Sequence, residues 1–227
     1  MESRMLGNLL VRFGRGRIVV DIMEKQIPLL RRNSSIRIKR ELKKQGKEVI
    51  VIRGLGSSTI GNSIRETFLT HNKLHNLTRY FLSFANMIQT QEERIKPHLK
   101  TPKIILVDRW LGSNFAYRVY PNQIDKKYYL FNNLTKLFIK PDITVYLKIH
   151  PQIGLKRKLN QNNHQLDVIE TSSLAYFHQV EKGYQEFLKR KNLGPQIVLK
   201  AMEAKNSNFN TKQIIKKIGE IPNANSH

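Results

Sequence analysis

An acid and an arginine stand side by side where a short apolar run ends: Ile104, Ile105, Leu106 and Val107 lead into Asp108 and Arg109. An unbroken run rich in β-branched residues predicts a strand buried on both faces, which puts the charged pair at its carboxyl edge. Ligands of parallel α/β sheets collect at that edge. There a carboxylate can orient the arginine or a hydrated cation, and the guanidinium can grip phosphate oxygens. The plain alternative is a salt-bridged strand end with no ligand. The next residues favour the ligand: a small-residue turn of Gly112, Ser113 and Asn114, then Phe115, Ala116 and Tyr117.

A second cation stands in a similar place. Val49 to Ile52 reads as another buried strand, Arg53 ends it, and GLGSSTIGNSIRETFL supplies a loop and a helix starting near Thr59. His71 and His75 are four apart, a spacing that can bind metal, yet no third ligand accompanies them and no metal site is assigned.

The elements that must position these groups alternate along the chain. Arg17 to Ile22 predicts a first strand. Ser34 or Ser35 is a candidate cap for a helix through Gln45, with Ile36, Ile38 and Leu42 for the core and Gly46 as its stop. Leu74 to Leu99 predicts a long helix with Leu77, Phe81, Phe84 or Ala85, Ile88 and Ile95 at helical spacing, although aromatics so spaced are more often plain core than a base platform. Tyr128 to Ile139 predicts an amphipathic helix, Ile143 to Leu147 a strand, Leu174 to Phe187 a helix, Ile197 to Leu199 a last strand and Thr211 to Ile218 a closing helix. Alternating strands and helices imply a parallel sheet with right-handed crossovers.

These motifs resemble the bacterial and archaeal thymidylate kinase family. Asp108, Arg109, Trp110, Ser113, Ala116 and Tyr117 match its strand ending Asp-Arg-aromatic with a small-residue turn and Ala-Tyr. Arg53, Gly56, Thr59, Ile60, Gly61, Ile64 and Arg65 keep its loop after the second strand, with Gly54 where the family has Glu. Ile95, Lys96, Pro97 and Leu99 resemble its Ile-Arg-Pro-x-Leu, KPDITVYLKIHPQIGL resembles its PDLTIYLDVDPEVGL, and Phe177, Val180, Gly183 and Tyr184 match Phe-x-x-Val-x-x-Gly-Tyr. The resemblance covers roughly residues 47 to 220. It implies an α/β three-layer P-loop kinase fold, a central parallel sheet of about five strands flanked by helices.

The resemblance also implies roles. Arg109 and Arg53 would stabilise charge on a transferred phosphoryl group, Asp108 would position Arg109 or hydrated Mg2+, and Ser113, Tyr117, Gln89 and Phe84 would line a dTMP pocket, with ATP as donor. The lid over the donor phosphates falls at residues 160–170, with Asp167 and Glu170 kept, Val168 in place of the family's arginine, and Arg157 as a nearby substitute. Asn86 and Met87 stand where the family has an Asp-Arg pair for the acceptor phosphate.

The departure is greatest at the phosphate-wrapping loop. A GxxxxGK[ST] loop belongs directly after the first strand, where amides and a lysine converge on phosphate. Counting back from Gly46 places Lys25 to Asn33, KQIPLLRRN, at that position; it has no glycine, and only Lys25, Arg31 and Arg32 offer charge. A one-base shift across the codons for Asp21 to Leu30 could encode Gly-x-Asn-Gly-Lys-Thr.

Composition bounds the rest. The 227 residues suit one domain, 1–227, with a poorly matched extension at 1–16 and a tail at 222–227. The absence of cysteine excludes disulfides and thiolate chemistry, and no run reaches the roughly 20 apolar residues of a membrane span, which together predict a cytoplasmic protein without membrane contact. Forty basic residues against 17 acidic ones give a net charge of +23, which attracts nucleic acid and other polyanions. Two functions are open to such a chain: phosphorylation of dTMP, weakened or lost through the missing loop, or a kinase-derived basic module holding nucleic acid or an acidic protein. Family resemblance also implies a possible homodimer.

Overall fold

The structure is a computed structural model and describes residues 18–24, 28–71, 73–125, 127–153, 173–190, 195–201 and 206–221. Five strands form one parallel sheet: β1 (Ile18–Glu24), β2 (Val49–Arg53), β3 (Ile104–Asp108), β4 (Ile143–Lys148) and β5 (Gln196–Lys200), in the order β2-β3-β1-β4-β5. The predicted three-layer architecture is present.

The strands read as apolar runs because both faces of the sheet are covered. Along β1 the side chains alternate: Val19 and Met23 join one core, and Ile18, Val20 and Ile22 join the other. The second core is closed by α1 (Pro28–Lys44), through Ile38 and Leu42, and by a C-terminal helix at Asn206–Gly219, through Ile214 and Ile218. The first core is closed on one side by α3 (Asn76–Thr90), against which α2 (Gly61–Thr70) packs. On the other lie α4 (Leu111–Asn114), α5 (Tyr129–Leu134) and α6 (Leu174–Leu188), the C-terminal helix being α7. Among the described residues no helix is long and apolar enough to cross a membrane.

Several boundaries differ from the sequence reading. Helix α1 starts at Pro28, so Ser34 and Ser35 lie inside it rather than capping it; proline suits a first helical position because its missing N–H would have had no partner there. Ile36 is 53% exposed, leaving Ile38 and Leu42 as the buried stripe. Gly46 does end the helix region, at φ +73° with its N–H on the Lys43 carbonyl. Helix α2 begins at Gly61 rather than Thr59.

The long helix is three pieces: α3, a π turn at Gln91–Ile95 and a 3₁₀ turn at Lys96–His98. Its buried stripe is Tyr80, Phe84 and Met87, whereas Leu77 and Phe81 are 37% and 46% exposed. Likewise α5 stops at Leu134 and a 3₁₀ turn carries Thr135–Leu137.

Helix α4 runs without a break into a wider π turn, Phe115–Val119, and α6 lies directly on that turn. A Cβ on Gly183 would sit 2.9 Å from the Ala116 Cα, so two small residues let the backbones meet. Phe177, Val180, Tyr184 and Phe187 fill in around the contact, as the spacing predicts. We expect Gly183→Ala to cost about 1–3 kcal/mol by overpacking, read as a lower urea midpoint at constant m. An unchanged midpoint would show that the two segments are not locked together.

Candidate active site

The strand order fixes where a ligand can sit. From β1 the chain crosses outward to β2, and from β3 it crosses back over β1 to β4, so the connections after neighbouring strands β1 and β3 leave in opposite directions. The crevice opens beyond their carboxyl ends. Arg53 pairs in register with Asp108 there, bringing together the three residues that the sequence singled out.

Arg109 takes a left-handed backbone, φ +66°, which costs a non-glycine residue roughly 1–2 kcal/mol. Its neighbours hold it there. The Arg109 N–H donates to the Ile22 carbonyl (3.0 Å), and the Gly54 N–H donates to the Asp108 carbonyl (2.8 Å). The Trp110 N–H donates to Asp21 Oδ1 (3.2 Å). The guanidinium lies over the Tyr117 ring, 5.3 Å from its centroid, in cation–π contact. Gly54 has a steric reason to replace the family's Glu: a Cβ there would fall 1.8 Å from the Arg109 carbonyl oxygen.

The loop after β2 is closed by side chains. The Arg53 N–H donates to Ser57 Oγ (2.9 Å). Asn86 spans the loop, accepting from the Gly56 N–H (3.1 Å) and donating to the Gly61 carbonyl (2.8 Å). Glu93 receives both the N–H (2.7 Å) and hydroxyl (2.6 Å) of Thr59 and the amide of Gln89 (2.5 Å). The Thr59 hydroxyl, then Gln89, hold the Glu93 carboxyl below its usual range. Asn86 thus organises the loop, a role that its position alone did not reveal.

Other candidates fall differently. Ser113 is buried and its hydroxyl is 2.9 Å from that of Tyr184, which stacks on Tyr146. The Tyr117 carbonyl accepts from the Tyr176 hydroxyl (2.9 Å). Phe84 is core: it makes edge contacts with Tyr80, Phe131 and Phe138 at centroid distances of 4.9, 6.1 and 5.4 Å, which takes its faces away from a base. His75 caps α3, accepting from the Leu77 N–H, and among the described residues no three His, Asp or Glu side chains form a metal cluster. Lys25 and the lid candidates Arg157, Asp167 and Glu170 lie outside the described residues.

The loop assignment for Lys25 to Asn33 is corrected. Pro28 onward is helix, so Arg31 and Arg32 belong to the first turns of α1, and three residues separate Glu24 from Pro28. A phosphate-wrapping loop needs about eight. Proline at the helix start also removes an amide that would face phosphate. The described residues therefore do not fit a wrapped ATP·Mg2+ triphosphate, and no catalytic step is assigned through it.

Sequence reasoning missed Asp21, an acid in an otherwise apolar strand; that break in the pattern was the available signal. It is 1% exposed. Burial, opposed by the Trp110 N–H and reinforced by Asp108, pushes its carboxyl up to about 7. Because the folded value lies above the unfolded one of 3.8, the folded state holds the proton more tightly. The associated stability is complete below about pH 4 and is lost as pH rises through 7, a loss of about 4 kcal/mol. We expect Asp21→Asn to raise the melting temperature at pH 8 but not at pH 4.5. A gain of equal size at both would show that Asp21 ionises normally.

The thymidylate kinase family model matches residues 34–208. A thymidylate kinase of Buchnera aphidicola subsp. Acyrthosiphon pisum is 34% identical over 193 residues, 82% of this chain and 85% of that protein. One from Thermoanaerobacter sp. (strain X514) is 29% identical over 150 residues, 65% of this chain and 72% of its own. The crystal structure of thymidylate kinase from Ehrlichia chaffeensis superposes with a TM-score of 0.69 at 20% identity, covering 89% of this chain and 99% of that one, which shows the shared fold. With three quarters of its length matched by the family model and a 34% identical relative aligned over 82% of it, the chain belongs to the thymidylate kinase family.

Proposed function

We propose that the carboxyl edge of the sheet binds dTMP as the acceptor in phosphoryl transfer, ATP with Mg2+ being the donor. The observation that carries this reading is the register of Arg53 with Asp108, next to an Arg109 turn held in an unfavourable backbone conformation. Family membership supports the nucleotide and the donor.

Phosphoryl transfer asks a protein mainly for positioning and charge stabilisation. Arg109 and Arg53 approach from adjacent strands and offset negative charge on the acceptor and transferred phosphates. Asp108, between them, orients the cations. The buried Ser113–Tyr184 pair and the Tyr117 ring fix the wall behind Arg109. Gln89 acts through Glu93 on the loop, holding Thr59. With Asn86 and Met87 where the family carries Asp-Arg, the acceptor phosphate relies on Arg53 and Arg109. The lid at 160–170 and the single domain 1–227 belong to the same proposal. A homodimer is supported by family resemblance, and attraction of nucleic acid by the net charge of +23.

The test has two arms. Millimolar dTMP should raise the melting temperature in proportion to occupancy, and Arg53→Ala should remove that shift without unfolding the protein. No shift in the unaltered chain would sink the acceptor site. Replacing Lys25 to Ile27 by a GxxxxGK[ST] loop should raise the rate of dTDP formation by at least about a hundredfold, because converging amides and a lysine would then face the donor. Rapid dTDP formation by the unaltered chain would contradict the donor-side reading.

A further inference from the structure

Asp21 occupies an expensive place. The central strand of this sheet buries every described side chain from Ile18 to Met23, and one of them is a carboxyl group. An acid with no task there would be better replaced by valine.

Its surroundings assign the task. By alternation along β1 it shares a face with Val19 and Met23, beneath the start of the helix that runs from Leu111 through the π turn to Val119. Oδ1 accepts the Trp110 N–H, and the Gly112 amide also points to the carboxyl. Both amides sit at the positive end of that helix. A Cβ on Gly112 would fall 1.9 Å from the Met23 sulfur, so the helix start lies close against the Met23 side chain of β1. Arg109 immediately precedes Trp110, and its left-handed backbone needs both flanks fixed. The upstream flank is held by Gly54 and Ile22, and the downstream flank by Asp21.

We propose that Asp21 is a positioning residue for Arg109, acting through the Trp110 N–H to hold the turn that aims the guanidinium at the acceptor phosphate. This rests on Arg109 being a phosphate-binding residue, as the proposed function has it. Of the titratable groups, Asp108 at the end of β3 acts on the Asp21 carboxyl, and Tyr117 on the π turn, Tyr146 on β4 and Tyr184 on α6 belong to the core on the same side of the sheet. Burial raises both Tyr146 and Tyr184 above the ordinary tyrosine value, so they stay neutral where the carboxyl titrates.

Trp110 is the single tryptophan of the chain, which gives a readout independent of turnover. Its emission should change with a midpoint near pH 7 in the unaltered protein, and Asp21→Asn and Asp21→Leu should both lose that midpoint. In dTMP titrations Asp21→Leu should weaken binding about tenfold, while Asp21→Asn, which keeps an acceptor oxygen, should stay within about threefold. In an Arg109→Ala background Asp21→Leu should add less than about twofold, because both changes act through one group. Equal losses in the two backgrounds, or a midpoint that survives in Asp21→Asn, would overturn the proposal. The underlying reading fails separately: Arg109→Ala binding dTMP as tightly as the unaltered chain would remove Arg109 from the phosphate site, while the emission midpoint would still report whether Asp21 governs the turn.

Discussion

The site depends on how one residue is held in a conformation it would not choose. Arg109 is left-handed, and strands on both sides of β3 supply its restraints: Ile22 and Asp21 from β1, and Gly54 just beyond β2. Parallel pairing makes this arrangement possible, because it brings three carboxyl ends to one edge in register. Gly54 completes it sterically. A side chain there would collide with the Arg109 carbonyl.

Much of this was legible in the sequence. The apolar runs ending in Arg53 and Asp108 announce strands buried on both faces, and the alternation of elements announces a parallel sheet. The Phe177, Val180, Gly183, Tyr184 and Phe187 pattern announces a helix packed on its neighbour, which it is. The rest depended on tertiary contacts. Phe84 and Phe81 share one helical stripe in the sequence, and only packing shows that the first is enclosed by aromatic rings while the second is exposed. Asn86 looks like a lost phosphate ligand until its amide is seen bridging Gly56 and Gly61. Ser34 and Ser35 carry a capping signal that Pro28 overrides by starting the helix earlier.

The two halves of the site differ in kind. On the acceptor side a loop tied by Asn86, Glu93 and Ser57 faces the Arg109 turn. On the donor side β1 pairs in register with both β3 and β4, as the kinase fold demands, yet three residues later α1 has begun. The family match starts at Ser34, beyond this junction. Among the described residues the strand is thus in place without the loop that would use it, and in the proposal β1 serves the site through Asp21 instead.

That asymmetry is tested most directly by isothermal titration of the unaltered protein with dTMP and with ATP·Mg2+ under the same conditions. The account predicts saturable dTMP binding and ATP binding weaker than that of dTMP by at least about a hundredfold. Tight ATP binding, with or without dTMP, would show that phosphates are cradled by other parts of the chain and would contradict it.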